Sequence, residues 1–285
     1  MGLLPYSMYR SVVGSLMYLV GGTRPDCAVA VNHLSRFSSN PGKPHWDAMV
    51  WLLRYLHGTR ALGISYIGNH RQGVILEEER RNGAHVNADD APSPRMLSES
   101  FRCNLVAYTD SDWGSCVDTR RSTTGYVIFM NGGPISWCCK RQPVTSTSSA
   151  EAEFYSLSAC VQQLRWSQQL SGELGFVQPM KRPGRNGYVA GSPMYRKNLG
   201  NLVWEDNAGA ISITQNDVFH QRTKHIDIKY HFVLDYVEQG FVSVRYANTK
   251  DNIADVMTKC LPGPAFVRFR NKLMGAWHAT SSSAR

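Results

Sequence analysis

LVAYTDSDWGSCVDTRRSTTGYVIFMNGGPISWCCK, residues 105–140, is the stretch that decides the fold. Within it LVAYTD (105–110), GYVIFM (125–130) and PISWCCK (134–140) are short apolar runs rich in β-branched and aromatic residues, which predicts three strands. Asn131-Gly132-Gly133 joins the second to the third as a hairpin turn, because Asn and Gly tolerate the positive φ such turns require. Working outward, a helix is predicted from about 149 to 172, with Ser148 or Ser149 as its N-cap. Then follow a strand, NLVWED (201–206), a short helix, NAGAISIT (207–214), and a long helix, HIDIKYHFVLDYVEQ (225–239), closed by Gly240. FVSVRYA (241–247) is a fifth strand, and a last helix contains NIADVMTK (252–259). Three antiparallel strands followed by alternating helix and strand make an α/β fold: a mixed five-stranded sheet with helices on both faces.

Upstream, residues 1–66 have helical periodicity in YRSVVGSLMYLV and HWDAMVWLLRYLHG, with a turn, SSNPGKP, between them. The polar passage 68–103, with its Glu run, Asp pair and prolines, is the expected linker, and residues 175–199 are an expected inserted loop. Hydrophobic residues at 42% argue for a globular chain rather than a disordered one, and the net charge of +9 favours an anionic partner. Seven cysteines, an odd number without a C-x-x-C pair, indicate neither a disulfide framework nor a structural zinc site, and point to a reducing compartment. No apolar stretch reaches the roughly 18 residues that span a bilayer, so no stable membrane insertion is expected. Residues 1–30 nevertheless have the layout of a signal peptide: a basic start to Arg10, the apolar SVVGSLMYLVGG, and a small-x-small site at Ala28-Val29-Ala30. The same segment reads equally as a buried helix, since Tyr18 and Gly21-Gly22 interrupt the apolar run.

Four acidic residues, Asp110, Glu153, Asp206 and Asp255, sit at the edges of apolar elements, where burial of a charge is costly. Placing NLVWED beside LVAYTD brings Asp110 and Asp206 to neighbouring strand ends, and Glu153 in the first turns of its helix faces the same edge. Such a group of oxygen ligands suits Mg or Mn, two of which about 4 Å apart can support phosphodiester hydrolysis. In this arrangement Asp110 bridges, Glu153 and Asp206 serve one ion, and Asp255 serves the other. Glu151, two residues from Glu153, is the competing helix carboxylate, and Asp112 is expected to be a surface or supporting group.

The run 105–158, with WEDNAGAISI, HQRTKHIDIKYHFV and ANTKDNIADVMTK, resembles the ribonuclease H region of Ty1/copia-type retrotransposon polyproteins. Residues 9–59 resemble the end of the reverse transcriptase and the connection that follows it. The resemblance implies a ribonuclease H-like domain over 104–275, a helical connection remnant over 31–67 and a disordered tail over 276–285. It places the catalytic and metal-binding set on Asp110, Glu153, Asp206 and Asp255, with Glu153 preferred to Glu151. It makes His220, Arg222, Lys224 and His225 candidates for contacting an RNA/DNA hybrid. No YVDD-like motif is present, so DNA synthesis is not expected.

A second resemblance concerns the N-terminal part. Arg54-Tyr55-Leu56-His57, followed some twenty residues later by Glu77-Glu78-Glu79-Arg80, resembles the RxLR-dEER targeting motif of secreted oomycete effectors. Two functions are thus expected, the first as the main reading and the second as its alternative. One is a secreted effector that acts on a host component in the cytoplasm or nucleus of a plant cell to suppress defence or cell death. The other is a Mg- or Mn-dependent ribonuclease H that works inside the cell with the retroelement particle. A third, an inactive nucleic-acid-binding scaffold, shares the same body.

Overall fold

The computed structural model describes residues 6–66, 105–174, 201–214 and 224–275, without the side chains of 224–227. Three helices come first: α1 (Tyr6–Gly22), α2 (Ala28–Ser35), entered through a short 3-10 turn, and α3 (Lys43–Gly58). The sheet follows as β1 (Val106–Asp112), β2 (Thr123–Met130) and β3 (Gly133–Arg141), then α4 (Ser149–Glu173), β4 (Asn201–Glu205) and α5 (Ala208–Ile213). α6 (Lys224–Glu238), β5 (Val242–Tyr246), α7 (Asp255–Thr258) and α8 (Gly263–Leu273) complete it.

The sheet order is β3-β2-β1-β4-β5. β1, β2 and β3 pair antiparallel, whereas β4 runs parallel to β1 and β5 parallel to β4. The β2–β3 hairpin turns on Asn131 (φ 52°) and Gly132 (φ 79°), the two consecutive left-handed residues that match the twist of paired strands. Side chains alternate between the faces with period two. Val106, Tyr108, Val127, Phe129 and Trp204 pack beneath α7 and α8 with Ile253, Met257, Phe269 and Leu273. Leu105, Ala107, Tyr126, Ile128 and Val203 pack beneath α4 and α6 with Phe154, Leu157, Val161, Leu164 and Val233. The expected mixed five-stranded sheet, with helices on both faces and a helical segment ahead of it, is the observed architecture.

The N-terminal helices form one unit around Tyr9, Val13, Leu16, Val31, Leu34, Met49 and Leu52. The division expected after residue 30 falls inside α2, and both sides of it belong to this core. The unit is also tied to the sheet. The Trp137 indole donates to the Val20 carbonyl at 2.9 Å, and the Asn32 amide donates to the Cys139 carbonyl at 3.0 Å. Arg24 and Asp26 form a buried two-pronged ion pair (2.9 and 2.8 Å) that also takes Tyr55 and Thr59 from α3 and its end.

The segment 252–259 departs from the expected last helix. Only Asp255–Thr258 form a helical turn, and Lys259 is already extended (φ −123°, ψ 146°). Asn252 is the cause: its side-chain oxygen accepts from the Ala254 amide, and its amide donates to the Thr109 carbonyl at 2.9 Å, pinning the segment against β1. α7 lies so close to β2 that a Cβ on Gly125 would overlap Thr258 Cγ2 and stand 2.9 Å from Met257 Cβ. Glycine at that position is a condition of the close approach.

Candidate metal centre

β1 and β4 are parallel, so their C-terminal ends lie at one edge of the sheet. Their last registered pair is Tyr108 with Trp204, which puts Asp110 and Asp206 the same two residues further along each strand. Asp110 continues the face of Val106 and Tyr108 and therefore turns toward α7; it stands opposite Gly125 and is fully buried. α4 begins where Ser148 accepts from the Glu151 amide at 3.1 Å, while a Glu151 carboxylate oxygen accepts from the Thr147 amide and hydroxyl (2.7 and 2.6 Å). Glu151 is thus occupied in capping the helix. Glu153, a little further along, is buried, and one of its carboxylate oxygens has no hydrogen-bond partner.

Asp110, Glu153 and Asp206 each offer an oxygen, and these oxygens all lie within 4.8 Å of one another. Asp255 joins from the other side through Lys259, whose ammonium lies 3.1 Å from Asp110 Oδ1 and 2.7 Å from Asp255 Oδ1. The second Asp110 oxygen accepts from the Thr258 hydroxyl. The Ser156 hydroxyl donates toward the Asp110 carbonyl at 2.7 Å, so the backbone on which the carboxylate stands is held from both faces of the sheet.

Burial and mutual repulsion raise the proton affinity of the group. Burial, then the charges of Glu205, Asp110 and Asp206, push Glu153 up to about 10. Burial and then Asp110 push Asp255 up to about 6, against the attraction of Lys259. Asp206 is raised by burial and by Asp110. Burial works against the Lys259 charge, but Asp110 and Asp255 outweigh it and hold this lysine above the usual range. The set fits a hard divalent cation: its donors are all carboxylate oxygens, and a buried Glu153 oxygen without a partner is costly unless a proton or a cation meets it.

A pH prediction follows from these shifts. Glu153 keeps its proton in the folded chain up to about 10, whereas unfolded it releases the proton near 4.5. The folded state therefore binds more protons between those values, and stability falls as pH rises through the window. In chelator, the melting temperature is expected to decline from pH 5 to pH 9, and Glu153→Gln to make that decline shallower. Magnesium should raise the melting temperature more at pH 9 than at pH 5, because metal and proton compete for the same oxygens. A melting temperature that rises over this range in chelator would contradict the proton accounting.

Other expected site residues lie apart or outside the described residues. His220 and Arg222 are outside them, as are Glu77, Glu78, Glu79 and Arg80; Lys224 and His225 begin α6. Arg54, Tyr55, Leu56 and His57 form part of α3: the Tyr55 hydroxyl donates to Asp26 at 2.6 Å, and Leu56 packs against the N-terminal core. Sequence reading missed four residues that shape the centre: Asn252, Thr258, Lys259 and Glu205. Glu205 is fully buried, is raised well above the ordinary range by burial and then by Asp206, and has one oxygen unpaired. Its only sequence signal is its place beside Asp206 in WED; the alternation that puts Val203 under α4 puts Glu205 there too.

The mixed sheet of order β3-β2-β1-β4-β5 is the ribonuclease H-like arrangement expected of the fold, and carboxylates converge at the parallel ends of β1 and β4. No family model matches the chain. It is 34% identical over 258 residues to the retrovirus-related Pol polyprotein from transposon TNT 1-94 of Nicotiana tabacum, covering 90% of this chain and 16% of that polyprotein. It is 37% identical over 158 residues to the secreted RxLR effector protein 161 of Plasmopara viticola, covering 55% of this chain and 89% of that protein. Among solved structures it is similar to LC11-RNase H1 isolated from compost, at 15% identity and a TM-score of 0.36, covering 54% of this chain and 92% of that one. Retrotransposon Pol polyproteins are thus among its homologues, and the chain spans about a sixth of the length of the tobacco polyprotein it matches.

Proposed function

We propose that this chain is a divalent-metal-dependent ribonuclease H that cleaves the RNA strand of RNA/DNA hybrids, acting inside the cell with a retroelement particle. The observation that carries this reading is the convergence of Asp110, Glu153 and Asp206 within 4.8 Å, with a buried, unpaired Glu153 oxygen among them. Mg or Mn there would help activate a water and stabilise charge on the phosphate. Asp110, Glu153 and Asp206 would hold one ion, and Asp110 and Asp255 would flank the place for a second. Ser156, Asn252 and Thr258 keep Asp110 from turning away, so the carboxylates need little rearrangement on binding. The net charge of +9 favours a polyanionic substrate, and His220, Arg222, Lys224 and His225 are the residues proposed to follow its backbone. The test is a 5′-labelled RNA annealed to DNA and incubated with purified protein. Cleavage of that strand with Mg or Mn, and none in chelator, is expected; no cleavage with either metal sinks the reading.

A second reading, a secreted effector that acts on a host-cell component, is favoured by one observation: the likeness to the Plasmopara viticola protein along 89% of that protein's length. Weighing against it, Tyr55 and Leu56 of the RxLR-like run are engaged in the core to which α1 contributes Tyr9, Val13 and Leu16. Among the described residues no helix is long and apolar enough to cross a membrane. A reporter fused behind residues 1–66 is expected to stay inside the cell; its export would support the effector reading.

A further inference from the structure

Lys259 holds a place that the acidic cluster would otherwise offer to a cation. Its ammonium lies between Asp110 Oδ1 (3.1 Å) and Asp255 Oδ1 (2.7 Å), the two carboxylates that flank the second ion place. The other place, among Asp110, Glu153 and Asp206, contains a carboxylate oxygen with no partner at all. The two places therefore differ in what a cation must displace. The Lys259 side chain is 34% exposed, while those of Asp110 and Asp255 are 1% and 9% exposed, so the lysine can swing toward solvent but the carboxylates cannot. Lys259 has an extended backbone immediately after the α7 turn, and its ammonium meets the carboxylate of Asp255, four residues earlier.

We propose that Lys259 is a built-in occupant of the Asp110–Asp255 place and makes cation loading ordered. The first ion enters among Asp110, Glu153 and Asp206; the second enters between Asp110 and Asp255 only as the ammonium withdraws. This rests on the reading of the cluster as a metal centre. An ammonium and a divalent cation on the same pair of oxygens would repel strongly, since both lie within a few ångströms of one another in a partly buried site. Lys259 is in this account a positioning residue that also keeps Asp110 and Asp255 together while the second ion is absent.

The test is Mn2+ binding to the full chain without nucleic acid, followed by calorimetry and by electron paramagnetic resonance. In the wild type, one ion is expected to bind more tightly than the other. In Lys259→Met the second ion should tighten by at least about tenfold, with a smaller change for the first, and coupling between the two Mn2+ spins should appear at two equivalents. Lys259→Arg, which keeps the charge, should retain the wild-type order. If the methionine variant does not fold, Lys259→Gln takes its place, removing the charge but keeping hydrogen bonding. The proposal is overturned if the neutral variant's isotherm matches the wild type, if both ions tighten equally, or if Lys259→Arg behaves as the neutral variant. No Mn2+ binding by any of these proteins would instead overturn the metal-centre reading itself, whereas binding without order overturns only the role of Lys259.

Discussion

Asp110→Asn is expected to lower metal-dependent cleavage of a hybrid's RNA strand by about three orders of magnitude. In the proposed centre Asp110 would be shared by both cation places, and asparagine offers a single neutral oxygen where a bridging ligand must offer two charged ones. Its partners make the substitution clean. Asparagine is nearly the same size, can accept from Thr258 or Lys259, and stands on a backbone already held by Ser156 and Asn252. The metal-free variant should stay near the wild type in stability, because loss of the Asp110–Lys259 ion pair is offset by relief of the repulsion between Asp110 and Asp255, and Lys259 keeps Asp255 as its partner. Stabilisation by Mg or Mn should shrink with the activity, since binding to the native state is what raises the melting temperature. A variant that cleaves at a tenth of the wild-type rate or better would show that Asp110 does not bridge. One that is inactive but also unfolded would be uninformative by activity alone, so thermal melting in chelator belongs in the same experiment.

The second large effect is on stability. Arg24→Ala is expected to cost about 3–5 kcal/mol, because it leaves Asp26 as an uncompensated charge in the N-terminal core. The Asp26 side chain is fully buried, and two of its partners come from Arg24 itself. Tyr55 remains as a donor at 2.6 Å, which limits the damage but cannot neutralise the charge. Tyr55→Phe should cost less, on the order of 1–2 kcal/mol, since the ion pair survives the loss of one hydrogen bond. Urea unfolding followed by tryptophan fluorescence checks both, because Trp46 and Trp137 lie in or against this helical unit. A cost below 1 kcal/mol for Arg24→Ala would mean that Asp26 finds solvent or another cation once the guanidinium is gone. The same cluster bears on the RxLR resemblance. Arg54, Tyr55, Leu56 and His57 form a continuous helical stretch whose tyrosine and leucine face inward, an arrangement that serves packing.

Much of this architecture could be read from particular residues. The apolar runs 105–110, 125–130 and 134–140 became β1, β2 and β3, and Asn131 and Gly132 made the turn their chemistry favours. Ser148 capped α4 as its hydroxyl and position suggest. These features depend on interactions within a few residues, so local sequence carries them. The segment 252–259 shows where that stops: its helical composition gave way to a single turn because Asn252 bonds to Thr109, a partner 143 residues away. Residues 28–30 lie in α2, and their neighbours Cys27 and Val31 join a core with helices on either side, a grouping that small-residue spacing alone does not reveal.

The sequence by itself determined which residues are chemically able to form the centre: four acidic side chains at the ends of apolar elements, in an order that resembles one family. Strand alternation further required Asp110 to share a face with Val106 and Tyr108. Only the tertiary structure decided how those side chains divide the work. It set Glu151 to cap the helix and Glu153 to face Asp110 and Asp206, it buried Glu205 beside them, and it placed the Lys259 ammonium between Asp110 and Asp255. The reason is physical. Alternation and capping are settled by neighbours along the chain, whereas the cost of burying a charge, and the counter-charge that offsets it, depend on which distant segments meet.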